Sequence, residues 1–217
     1  PSYDSYAPAV QLAGGKSIHI NLEAPSFQVD WQKVKDSINA KTRMIIVNTP
    51  HNPTGAIWSE QDWRQLIELI QDKNIVVLSD EVYEHLVFDG QKHFSALQFP
   101  ELRERSFVIG SFGKTYHVTG WKTGYCVAST QLMRLFRQIY QFANFCGNMP
   151  CQLALANYMQ QHPEHIQELP HFYQAKRDLF NTQLQHSRFQ FTPSQGTYFQ
   201  NLDYSNIRPD LHDVEMC

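Results

Sequence analysis

Cysteine is scarce in this chain of 217 residues: Cys126, Cys146, Cys151 and Cys217 form no CxxC pair and no even ladder of spacings. That argues against the disulfide framework of a small secreted domain and suits a reducing cytoplasm, with Cys126, in the strand-like run GYCVA, expected to be a small buried hydrophobe. Long apolar runs are missing too. None approaches the roughly 18 residues that a membrane-spanning helix needs, and the N-terminus shows no basic-then-apolar signal pattern. Positive charge is nowhere concentrated: 18 Lys and Arg face 21 Asp and Glu, the net charge is −3, and no run of five basic residues occurs, so no nucleic-acid partner is expected. Histidine is plentiful at ten residues but scattered, and the one close pair, in His162-Pro-Glu-His165, lacks the helical spacing of a metalloprotease site. No metal site is expected. A soluble cytoplasmic protein with no membrane partner is therefore expected.

What is present is ordinary globular material, 42% apolar and 18% charged, in a chain long enough for one large α/β domain or one domain with part of another. Trp31, Val34 and Ile38 recur at helical spacing in DWQKVKDSINA, and TRMIIVN follows as a buried strand. The run NTPHNPTG holds two prolines, two asparagines and a glycine, so it continues neither element and must be a shaped loop at a strand's carboxyl end. Ser59 through Lys73 opens on a Ser59-x-x-Asp62 capping box and places Trp63, Leu66, Ile67 and Ile70 on one face. NIVVLSDEVY and FVIGSFGK read as further strands, in the rhythm of a parallel sheet with helical crossovers; GYCVAS, joined by a loop alone, is expected to run antiparallel. Helices are expected at 131–145, 150–161 and 163–187, the last kinked or divided at Pro170, with strands returning in RFQFTP and GTYFQNLDY. The chain opens on Pro1 and closes where Asp213, Val214, Glu215 and Met216 read as a first helical turn, so a fragment of a longer protein is expected.

Three successive strand ends carry unlike polar groups: Asn48 to Gly55, Asp80 to Tyr83, and Ser111 to Lys122. Each alone is unremarkable, since Asp80 could cap a helix, Tyr83 could pack in the core and Lys114 could be a solvated loop lysine. Ligands bind at the carboxyl ends of strands in such sheets. Gathered there, an amide, a carboxylate, a phenol and an amine suit a pyridinium aldehyde, which needs an imine-forming lysine, a carboxylate for the ring nitrogen and donors for the ring oxygen.

The elements NTPHNPTG, SDEVY, SFGKTYHVTGWKTGY and PSQGTYF, in that order, resemble the class I/II aminotransferases of pyridoxal-phosphate fold type I, nearest the methionine and kynurenine aminotransferase branch. The resemblance covers essentially the whole chain. It implies an α/β fold with a mostly parallel sheet sandwiched by helices, a partial large cofactor-binding domain over 1–175 and an incomplete small C-terminal domain over 176–217. The implied cofactor is pyridoxal 5'-phosphate. Lys114 corresponds to the Schiff-base lysine, Asp80 to the partner of the ring nitrogen, and Tyr83 and Asn52 to the pair on the ring hydroxyl, with Asn52-Pro53 expected cis. Ser111 and Lys122 fall where the family holds the phosphate. Many relatives have arginine at the latter position, so a bidentate grip becomes a point charge here. Tyr3 matches the aromatic residue that stacks on the ring. The resemblance further implies transfer of an amino group from an L-amino acid (methionine, aromatic or kynurenine-like) to a 2-oxo acid, and a homodimer. A C–S β-lyase and the aminotransferase-like domain of a transcriptional regulator share these cofactor residues. The family's substrate-carboxylate arginine has no counterpart in these 217 residues; by themselves they are expected to be inactive or poorly soluble, with sheet edges and apolar surface exposed.

Overall fold

A computed structural model describes residues 1–216; Cys217 lies outside the described residues. Four strands, β1 (Met44–Asn48), β2 (Val76–Asp80), β3 (Ser106–Ser111) and β4 (Gly124–Val127), form one sheet in the order β1-β2-β3-β4. The first two pairings are parallel and β3–β4 is antiparallel, as expected from the sequence. Register then fixes the site. Asn48 lies level with Asp80, Asp80 with Ile109, and Ser111 with Gly124, so the polar ends of three strands share one edge of the sheet.

Before the sheet come α1 (Tyr6–Leu12) and α2 (Trp31–Ser37), the latter capped by the Asp30 carboxylate accepting from the N–H groups of Gln32 and Lys33. The crossover from β1 to β2 is α3 (Glu60–Ile70), where Ser59 and Asp62 form the expected capping box. Its buried face, Trp63, Leu66 and Ile70, packs with Val47, Ile75, Val77, Ala96, Phe99, Leu102 and Val108 into the main core. Trp63 also donates its indole N–H to the Phe94 carbonyl at 2.8 Å, which satisfies the ring's one polar atom inside that core. The short α4 (Pro100–Arg103) leads into β3, and α5 (Phe112–Thr115) follows it at once. After β4 come α6 (Thr130–Ala143), α7 (Met149–Gln161), α8 (His165–Leu184) and α9 (Asp213–Met216).

Three expectations need correction. RFQFTP and GTYFQNLDY form no ladder: the pairings they make are isolated single-residue bridges, Gln190 with Asp203 and Val87 with Gly196, with no neighbouring residues in register. Helix α8 is undivided and carries Pro170 in its second turn, where little of the i→i−4 ladder precedes the ring. Cys126 is half-buried rather than buried, although burial still pushes its thiol up. Asn52-Pro53 is cis, as are Thr49-Pro50 and Ala24-Pro25. Helices α6 and α7 expose Leu135, Ile139, Phe142, Met149 and Leu153. No described helix is long and apolar enough to cross a membrane.

Two glycines shape the sheet edge. At Gly110 a Cβ would stand 2.1 Å from Cζ of Tyr125, so only a bare backbone lets that ring lie across β3 between Phe112 and Glu84. Gly55 has φ +73 and meets Ser194 and Gly196 so closely that a Cβ would stand 2.4 Å from Ser194 Cβ. The NPTG loop and the PSQG turn are thereby pressed together.

Candidate active site

The shape of NTPHNPTG comes from its own hydrogen bonds. His51 N–H reaches the Ala56 carbonyl and Gly55 N–H the His51 carbonyl, both at 2.8 Å, while Trp58 N–H donates to Thr49 Oγ1 at 2.9 Å. Asn48 joins this loop to the next strand: its Oδ1 accepts from Asn52 N–H at 2.8 Å and its Nδ2 donates to the Asp80 carbonyl at 2.9 Å. A single buried amide thus sets Asn52 against Asp80.

His51 sits inside the loop, 8% exposed, with Nδ1 hydrogen-bonded to Thr54 Oγ1 at 2.7 Å. Burial pushes the imidazole down from its usual 6.5 to about 4. The folded protein therefore resists protonation that the unfolded chain accepts, so stability is full above about 6.5 and falls as the pH drops towards about 4. Urea unfolding at pH 7 and pH 4.5 is expected to show the wild-type protein losing about 2–3 kcal/mol more than His51→Gln over that interval. Equal losses would mean that the imidazole is solvated.

Asp80, partly buried at the end of β2, accepts from Tyr6 Oη through one carboxylate oxygen and from Val82 N–H through the other at 3.2 Å. Desolvation raises its carboxyl above the usual range, against the lowering effect of those two donors. Desolvation first, and the Asp80 charge second, raise the Tyr6 phenol. Among the described residues Asp80 has no ion-pair partner. A partly desolvated carboxylate without a cation is a site for a positively charged ring nitrogen.

Tyr83 is 1% exposed and packs with Leu86 and Leu169; burial raises its phenol, and a hydrogen bond to Tyr198 raises it further. Lys114 lies inside α5, whose N-terminus Ser111 caps through Oγ and Gly113 N–H at 3.1 Å. The lysine nitrogen lies 5.7 Å from the Tyr83 ring centre and 5.5 Å from that of Tyr198. It donates to Tyr198 Oη at 2.9 Å. Lys122 has left-handed backbone, φ +52, two residues before Gly124, the register partner of Ser111. Tyr3 is 45% exposed and meets Tyr6 edge-on at 5.5 Å.

Lys114, Tyr83, Asp80 and, through Asn48, Asn52 are thus gathered at one sheet edge, with Tyr3 joined to them through Tyr6. Ser111 and Lys122 stand on the flanking β3–β4 segment. Two residues that the sequence did not single out also belong here. Tyr6 follows Tyr3 by three residues, a helical spacing that could have drawn notice; Tyr198 lies in PSQGTYF, a segment already picked out by the resemblance, but it stands 84 residues beyond Lys114 and nothing local ties it to that lysine. A cavity of about 1270 Å³ lies elsewhere: Trp58, Phe27 and Tyr204 line it with His51, and it touches neither Lys114 nor Asp80 nor Tyr83. The convergent polar groups, rather than the volume, mark the site. An amine, a carboxylate, a phenol and an amide, with a hydroxyl and an ammonium alongside, fit an anionic pyridine aldehyde.

A family model, aminotransferase class I and II, matches residues 1–214. The methionine aminotransferase of Escherichia coli is 48% identical over 217 residues, which are all of this chain and 56% of that protein. Human kynurenine–oxoglutarate transaminase 3 is 33% identical over 99% of this chain and 51% of its own length. Among solved structures, an E. coli protein identified as having a methionine aminotransferase function superposes with TM-score 0.96 at 47% identity, covering 100% of this chain and 57% of that one. The N-succinyldiaminopimelate aminotransferase of Mycobacterium tuberculosis gives 0.94 at 33% identity, with the same coverages. The chain spans about half the length of the curated relatives it matches. Fold, motif order and family match agree, and the chain belongs to the aminotransferase class I and II family, whose members depend on pyridoxal 5'-phosphate.

Proposed function

We propose that this chain carries the cofactor seat of an aminotransferase that moves an amino group from an L-amino acid to a 2-oxo acid. The observation that carries this reading is the convergence of the Lys114 amine, the Tyr83 phenol and the unpaired Asp80 carboxylate at one sheet edge. When bound, the cofactor supplies an electrophilic carbonyl and an electron-withdrawing ring. Asp80 would keep a proton on the ring nitrogen, and the cation it gains there would offset its own desolvation. Tyr83 and Asn52 would donate to the ring hydroxyl. Ser111 Oγ and the Lys122 ammonium would hold the phosphate, Lys122 as a point charge. Tyr3 would stack on the ring face. Lys114 would take the proton from the substrate α-carbon onto Nζ and return it, acting as base and then as acid.

The likeness to the methionine and kynurenine enzymes supports a large apolar, sulfur-containing or aromatic donor. The same reading places residues 1–175 in a large cofactor-binding domain and 176–217 in a small one, with the intact protein a cytoplasmic homodimer. A panel of amino donors against several 2-oxo acids, run on the intact protein, tests it. Methionine, aromatic amino acids or kynurenine are expected to be converted only when an oxo acid is present. Release of ammonia and pyruvate without that acceptor would assign a C–S lyase instead.

A further inference from the structure

Two donors converge on the phenolic oxygen of Tyr198: Lys114 Nζ at 2.9 Å and Tyr83 Oη at 3.2 Å. The place of that oxygen is set by backbone. Thr197 N–H donates to the Leu86 carbonyl at 2.9 Å, Gly196 bridges Val87, and Thr197 itself is fully buried at φ +64. The Tyr198 ring is then braced by Tyr83 at 5.3 Å, Tyr173 at 5.9 Å and Phe199 at 4.8 Å. Lysine, by contrast, ends a flexible four-carbon stem. A fixed acceptor facing a flexible amine decides where the amine points.

We propose that Tyr198 is a positioning residue for Lys114, holding one N–H of the free amine so that the nitrogen lone pair faces the substrate. The proposal rests on the aminotransferase reading above. An amine that donates one N–H to a fixed oxygen keeps its lone pair for proton abstraction. As the substrate α-C–H bond breaks, its electron pair stays on the carbon side and its proton becomes a further N–H on Nζ. The resulting ammonium remains tethered to the same oxygen until it gives the proton back. Because Tyr83 Oη lies 3.2 Å from that oxygen as well, Tyr198 also stands between the base and the seat of the cofactor ring.

Tyr198→Phe keeps the ring and removes only the oxygen, and at 42% exposure the residue is not part of the core. In the intact, cofactor-loaded protein the variant is expected to keep the donor KM within about threefold and lower kcat about tenfold. The primary isotope effect on an α-deuterated donor is expected to rise, because proton transfer then limits turnover. In the cofactor-free protein, covalent capture of added pyridoxal 5'-phosphate by Lys114, followed by visible absorbance, is expected to slow about tenfold. Tyr198→Leu, which removes the oxygen in another way, should raise the isotope effect equally. Unchanged kcat, isotope effect and capture rate in Tyr198→Phe would overturn the proposal. Lys114→Ala separates the two levels: if it still captures the cofactor and turns over, both readings fall, whereas if it is dead and Tyr198→Phe behaves as wild type, this one falls alone.

Discussion

Lys114→Ala is expected to leave the intact protein without covalent cofactor capture and to lower transamination by about 10²–10⁴-fold from the loss of the proton-transfer role alone. Both losses come from one atom. The lysine nitrogen stands among Tyr83 and Tyr198 near the Asp80 carboxylate, and no other lysine is in contact with that group among the described residues. Alanine in α5 keeps helix propensity and leaves the Ser111 cap in place, so folding should be spared. The check is borohydride trapping of the cofactor on the protein, with visible absorbance, beside steady-state rates. A trapped adduct on Lys114→Ala would move the covalent role to another residue and end the reading of this site.

Glu81→Ala has the largest expected effect on stability. Glu81 is 1% exposed, and its carboxylate gathers three partners: Oε1 accepts from Ser79 Oγ at 2.7 Å and from Ala96 N–H at 3.0 Å, and Oε2 lies 2.9 Å from His93 Nε2. Ser79 and Ala96 are themselves fully buried. Truncation strands their polar groups in a dry interior and leaves His93 without its carboxylate, a loss of about 3–5 kcal/mol. Glu81→Gln keeps the shape and one acceptor oxygen and should cost less. Urea unfolding of both variants gives the comparison, and a loss below about 1 kcal/mol for Glu81→Ala would show that water takes over the three partners. Because Glu81 directly follows Asp80 and its N–H holds the Ile109 carbonyl at 2.8 Å, loosening it should also weaken cofactor retention. Stability and function meet at this pair: one carboxylate of SDEVY turns inward to fasten the strand end, and its neighbour faces the site.

The contrast between those two carboxylates marks a boundary of what the chain's order of residues reveals. Apolar strand runs, the capping box at Ser59 and the turn formers of NTPHNPTG act over a few residues, so helix α3, strands β1 to β3 and the shaped loop were legible from local rules. Gathering Asn52, Asp80, Tyr83 and Lys114 at one edge was also foreseeable, since parallel strands joined by crossovers put their carboxyl ends together. RFQFTP and GTYFQNLDY misled because strand propensity describes fitness for a pleated surface, and these segments find only isolated bridges rather than a partner strand.

Composition and local pattern were enough for the α/β class and the parallel core of the sheet, because each depends on residue chemistry and near-neighbour spacing; the covalent role proposed for Lys114 rests on the family resemblance of its motif. Tertiary structure alone decided which side chains hold that chemistry in place. The Tyr198 oxygen on Lys114, the Tyr6 hydroxyl on Asp80 and the inward turn of Glu81 join residues 84, 74 and up to 15 positions apart. No periodicity spans such distances, and only the packed chain brings those atoms within hydrogen-bonding range.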